Sequence, residues 1–149
     1  MNQVPANSPP KVRPQPTRLS APFWQAASRG QWLLQRHLDS GAHQFFPKPL
    51  DPVGGSDLEW VLATGTGRLL AYTECHVAGS GYDGELPYVM GIVALDEKVR
   101  VLAQVLAPAA QLRVGQRMRA CWPALDGLAP MYAFEPIRSE EHTSELQSH

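Results

Sequence analysis

A chain of 149 residues, 44% of them hydrophobic, is long enough for one domain with a real core. Its formal net charge of −1 gives no electrostatic pull toward nucleic acid or an anionic membrane, and no apolar run approaches the ~18 residues of a membrane span. Fourteen prolines and twelve glycines favour turns and short strands over long helices.

Met1 to Leu19 carries five prolines and no hydrophobic period, so residues 1–19 read as a disordered leader. The leader lacks the charged-then-apolar pattern of a secretory signal. Cys75 and Cys121 lie in strand-like runs and do not form a disulfide framework, which points to the cytoplasm. Ser20 predicts an N-cap, Pro22 suits a first turn and Gly30 a C′ stop, so a short helix is expected between them. Phe23 and Trp24 form its apolar side, and a helix this short needs a surface to bury them on.

"QWLLQR" then predicts a strand running into a ribbon-like arm, the whole spanning residues 20–57. In that arm His37-Leu-Asp-Ser40-Gly41 and Asp51-Pro-Val-Gly54-Gly55 have the outline of two zinc knuckles without a cysteine. Leu58 to Leu62 and Gly67 to Val77 are expected as one long strand, kinked at Gly65-Thr-Gly67, where missing Cβ atoms permit a bend. Tyr88 to Leu95, Val99 to Leu106, Gln116 to Trp122 and Met131 to Phe134 follow as strands. A hairpin at Asp96-Glu-Lys98 and one helical turn at Pro108 to Leu112 separate them. That order predicts a mainly β fold over residues 58–137, a five-stranded OB-fold Greek-key barrel. An SH3-like barrel is the competing topology and would lack the helical turn.

The last twelve residues, "RSEEHTSELQSH", differ in character from the body and match the translation of an adapter oligonucleotide used in short-read sequencing libraries. Residues 138–149 are therefore expected to be a disordered artefact. Without their one arginine and three glutamates the formal charge moves from −1 to +1.

No Gly-x-Ser-x-Gly elbow, His-Glu-x-x-His or Ser-His-Asp spacing is present. Cys75 and His76 are strand neighbours and point to opposite faces, so they make no dyad. Thr64-Gly-Thr-Gly67 lacks the Lys-Ser/Thr ending of a phosphate loop. Arg113, Arg117 and Arg119 read as a solvated face. An OB-fold binder of single-stranded nucleic acid, which wants a basic groove with stacking aromatics, is the alternative function.

Six stretches in order resemble the DUF35 family: "PFWQAASRGQWLLQRH", "FPKPLDPVGGSDLEW", "TGTGRLLAYT", "LPYVMGIVALDEKVRVLAQV", "LRVGQRMRACW" and "PMYAFEP". They cover Ala21 to Pro136. The resemblance implies a rubredoxin-like zinc ribbon followed by an OB-fold, in a non-catalytic accessory subunit. Such a subunit pairs with a thiolase-like enzyme, or with an acyl-CoA hydratase or aldolase, and helps hold the acyl-CoA site. On the family pattern the four zinc cysteines fall at His37, Ser40, Asp51 and Gly54, so this ribbon is expected to be degenerate and metal-free, with Asp39 and His43 as the only substitutes nearby. Phe45, Phe46 and Trp60 are expected to replace part of the stabilisation that zinc gives. By the same analogy the arm docks a partner through Phe23, Trp24, Phe45 and Phe46, while Tyr82 and Tyr88 border a shared acyl-CoA ligand. No catalytic residue is assigned and no membrane contact is expected.

Overall fold

A computed structural model describes residues 14–48, 57–77, 86–123 and 131–138. Its elements in chain order are helix α1 (Ala21–Ala27) and strands β1 (Leu33–His37), β2 (His43–Gln44), β3 (Leu58–Leu62), β4 (Thr66–Cys75), β5 (Tyr88–Leu95) and β6 (Arg100–Val105). A 3-10 turn (Ala109–Gln111), β7 (Arg117–Cys121) and β8 (Ala133–Pro136) complete it.

Helix α1 begins after Ser20, its N-cap residue, as the sequence suggests, although the Ser20 side chain bonds no helix N–H. In the turn ahead of the helix the Thr17 Oγ1 accepts the Ser20 N–H at 3.1 Å, and the Ser20 Oγ accepts the Thr17 N–H at 2.9 Å. This reciprocal pair closes the turn that leads into α1. The helix stops as expected at Gly30, whose φ of 70° lets its N–H reach the Ala27 carbonyl while Gln31 donates to Ala26.

Strands β2, β1 and β3 form a three-stranded antiparallel sheet, the core of the arm. Its second strand is pinned by Gln35, buried between neighbours. The Gln35 amide donates to the Lys48 carbonyl at 2.8 Å, and its oxygen accepts from the Lys48 N–H and the Gln44 side chain, both at 2.7 Å. A buried amide with these partners avoids the penalty of an unsatisfied polar group. Here it fastens the chain after β2 to β1.

The expected long strand from Leu58 to Val77 is two strands in two sheets. Leu58–Leu62 pairs along its whole length with β1 and so belongs to the arm, whereas Thr66–Cys75 pairs with β5 and β7. The chain changes sheets at Gly65, whose φ of 74° redirects it, and Glu97 accepts the Thr64 N–H at the crossing. Gly67 has another role. A Cβ there would lie 2.2 Å from the Ala94 carbonyl oxygen, so only glycine permits β4 to lie this close to β5. The bulge in β4 falls at Leu70, not at a glycine.

Strands β4, β5, β6, β8 and β7 close into a barrel in that order. All neighbours are antiparallel except β6 and β8, which meet in parallel over Gln104 and Val105. With the 3-10 turn after the third barrel strand, this is the OB topology, and the SH3-like alternative is set aside. Leu69, Val93, Val101, Met118 and Phe134 fill the interior, and the Tyr72 hydroxyl donates to the Leu112 carbonyl at 3.1 Å beneath the turn. The last strand runs two residues beyond its expected end, to Pro136.

Gly67→Ala is expected to cost about 3 kcal/mol, because backbone rather than a movable side chain blocks the added methyl. Urea denaturation of the purified variant measures this.

Candidate functional site

The joint between arm and barrel is where the sequence's aromatic residues converge. Phe23 sits at its centre, with ring centroids 4.8 Å from Trp24, 5.5 Å from Phe45, 5.8 Å from Phe46 and 5.9 Å from Trp32. Trp32 reaches across to the barrel, 5.0 Å from Tyr132, 5.4 Å from Trp122 and 5.6 Å from Phe134. Helix, ribbon and barrel thus share one hydrophobic core. Each such ring pair contributes about 0.5–1.5 kcal/mol beyond the area it buries. The indole N–H groups of Trp24 and Trp32 are buried without a hydrogen-bond partner, which offsets part of that gain.

This arrangement corrects the expected docking residues. Phe23 is 0% exposed and Trp24 9%, so neither presents a surface to another chain. The physical reason is the length of α1: seven residues cannot hold a helix alone, and its apolar side is buried on its own chain first. Phe45 is half-buried, and Phe46 remains 39% exposed at the rim. Tyr88 is half-buried at the start of β5 and lines a groove of about 470 Å³ whose walls include Glu74, Gln104, Leu106 and Pro108. Tyr82, Asp51 and Gly54 lie outside the described residues. The sequence reading missed Trp32, Trp122, Tyr132 and Phe134 as parts of the joint.

The zinc expectation can be tested against the donors themselves. The first knuckle keeps its turn: Gly41 has a φ of 74°, its N–H donates to the His37 carbonyl at 2.8 Å, and the His37 N–H donates to Ala42 at 2.8 Å. The Ser40 Oγ accepts the Ala42 N–H at 3.2 Å, closing the turn internally. Among the described residues no three of His, Cys, Asp or Glu converge as ligands, so Asp39 and His43 do not complete a set with His37. Of the four family positions, serine is a poor zinc ligand and glycine none. These residues do not fit a structural zinc.

Acid–base chemistry is equally sparse. His76 lies 2.9 Å from a Glu74 carboxylate oxygen rather than engaging Cys75. Asp96 receives both Arg117 guanidinium nitrogens, at 2.8 and 3.1 Å, and this hydrogen bonding holds its carboxyl below the ordinary carboxylate range. Arg119 is likewise paired with Glu135 at 3.0 Å, so both arginines lie at the surface with their charges compensated and do not form an uncompensated basic groove. A crevice of about 330 Å³ opens where arm meets barrel, lined in part by Trp32, Leu62, Thr64, Arg119 and Trp122. It offers apolar walls and one compensated cation. No helix among the described residues is long and apolar enough to cross a membrane.

A closed OB barrel joined to a helix-and-ribbon arm defines the class of this molecule. The comparisons place it further. The model of the ChsH2 C-terminal OB-fold domain matches residues 60–123. The chain is 27% identical over 139 residues to a probable enoyl-CoA hydratase alpha subunit of Thermomonospora curvata, covering 91% of this chain and 43% of that protein. It is 25% identical over 91 residues to a DUF35 domain-containing scaffold protein of Methanocaldococcus jannaschii, covering 56% of this chain and 64% of that one. The chain thus spans less than two thirds of either curated relative. Among solved structures it resembles a chain of the Ltp2-ChsH2(DUF35) aldolase, with a TM-score of 0.74 and 27% identity, over 83% of this chain and 98% of that one. The chain is thus similar to DUF35 proteins, as its six sequence stretches suggested.

Burial, with the Glu135 charge beside it, pushes the Cys121 thiol up to about 11, against the smaller opposing effect of Arg119. At pH 8 only about one Cys121 in a thousand is then a thiolate. Iodoacetamide at that pH should leave Cys121 unlabelled on a timescale that modifies a free cysteine completely. Mass spectrometry of the peptide containing Cys121 reads the outcome.

Proposed function

We propose that this chain is a non-catalytic accessory subunit of an enzyme acting on acyl-CoA, and that it helps form or hold the partner's acyl-CoA site. The observation that carries this reading is the likeness to a chain of the Ltp2-ChsH2(DUF35) aldolase over nearly that chain's full length. The names of the two curated relatives, a hydratase subunit and a scaffold protein, point the same way. So does the chemistry of the described residues, where Glu74 faces a histidine and Asp96 and Glu135 face arginines. The partner is a hydratase, aldolase or thiolase-like chain. Phe46 at the rim of the joint, Phe45 behind it, Tyr88 beside its groove, and Tyr82 are the residues proposed to meet partner or ligand. Two free thiols, Cys75 and Cys121, fit a reducing cytoplasm, where we place the protein.

The test is co-expression with a candidate acyl-CoA hydratase, aldolase or thiolase-like chain from the same genome. A stable complex should elute on gel filtration, and the partner should gain at least about tenfold in kcat/KM over the partner alone. Turnover of an acyl-CoA thioester by the isolated chain would overturn the reading, as would a partner that is fully active and never co-elutes.

We also propose that the arm holds its shape without metal, through the Gln35 hydrogen bonds and the aromatic joint. Protein purified without chelator should contain far less than one equivalent of zinc by elemental analysis. Its melting temperature should not move when phenanthroline is added. A stoichiometric ion, or a chelator-induced loss of stability, would refute this.

A further inference from the structure

The outward face of β4, β5 and β6 has an unusual composition for a surface that meets only water. In antiparallel sheets with one face on the core, the other face is ordinarily polar. Here the inward side chains are Leu69, Val93 and Val101, all buried. The cross-strand register then sets Ala71 against Ile92 and Ile92 against Leu102 on the outward side, with Leu70 bulging beside them. Leu70, Ile92 and Leu102 are 38%, 36% and 63% exposed. On one side of this row runs Thr73–Met90–Gln104. On the other runs Arg117–Arg68–Ala94–Arg100, continuous across four strands.

Single exposed apolar residues are ordinary on any surface, whereas a contiguous strip edged by polar groups marks a binding face. The charge on its border is one-signed. Asp96, on the hairpin beyond β5, compensates Arg117 and is also approached by Arg68. Among the described outward residues of β4, β5 and β6 there is no carboxylate, so the excess is cationic. We infer that this face docks a folded protein partner whose own surface presents an apolar strip edged by carboxylates. The complementary sign selects this occupant over a second copy. Two copies of the face would bring arginine rows together, or set them against apolar strips, with no carboxylate to compensate them. Nucleic acid would satisfy the arginines but leave Leu70, Ile92 and Leu102 without a stacking or apolar counterpart.

The inference rests on the accessory-subunit reading and adds to it the surface by which the barrel is held. The full chain is co-expressed with the same candidate acyl-CoA enzyme, and the affinity of the purified pair is measured by calorimetry. Leu102→Asp and Arg100→Glu are each compared with Leu38→Asp on the arm. Both outward positions are solvent-facing, so circular dichroism and thermal melting of the free variants should match the parent. The expected result is a loss of affinity of at least about tenfold in Leu102→Asp and Arg100→Glu. If the parent complex forms and Leu38→Asp disrupts it while Leu102→Asp does not, the barrel face is wrong and the accessory reading stands. If the parent complex never forms, both fail. Concentration-dependent dimers lost in Leu102→Asp would identify a second copy as the occupant. Sedimentation with phosphatidylserine vesicles, lost in the same variant, would identify a membrane. Either result overturns the inference.

Discussion

The contact between Phe23 and Trp32 is the constraint on which the rest of the molecule depends. Phe23 comes from a helix too short to persist in water, and Trp32 from the residue before a strand of a three-stranded sheet too small to stand alone. Neither element has a core of its own. Each becomes stable by leaning on the other and, through Trp122, Tyr132 and Phe134, on the mouth of the barrel. The arm is therefore an extension of the barrel core, not a separate module on a tether. In a zinc ribbon a metal ion fixes two knuckles to each other. Here side-chain packing fixes the ribbon to its neighbour, while backbone bonds and Ser40 close the first knuckle.

Much of this fold was legible in the sequence because its strands carry a clean two-residue period and its turns carry glycine or charged hairpin residues. Asp96-Glu-Lys98 and the alternation through Met118 and Ala120 sufficed for the barrel. The sheet change at Gly65 was not legible. A glycine that bends one strand and a glycine that passes the chain to another sheet look alike until the partners of Leu58–Leu62 are known.

The candidate site was less legible than the fold. Adjacent aromatics such as Phe23-Trp24 and Phe45-Phe46 carry the same pattern whether they face a partner or their own core. What decided the matter was the supply of rings elsewhere: Trp32, Trp122 and Tyr132 are distant in sequence and meet only once the barrel closes. The outward row of Leu70, Ile92 and Leu102 was invisible for the opposite reason. It depends on a bulge and on register, neither of which a single sequence displays.

Strands β6 and β8 meet only over Gln104 and Val105, whereas β5 and β6 pair from Val89 to Ala94. A closed ring of strands is as durable as its shortest seam. Thermal breathing should therefore begin at this parallel joint, with the amides near it exchanging first and those of β5 last. Because Phe134 lies in that seam and also touches Trp32, the first local opening of the ring would loosen the arm with it.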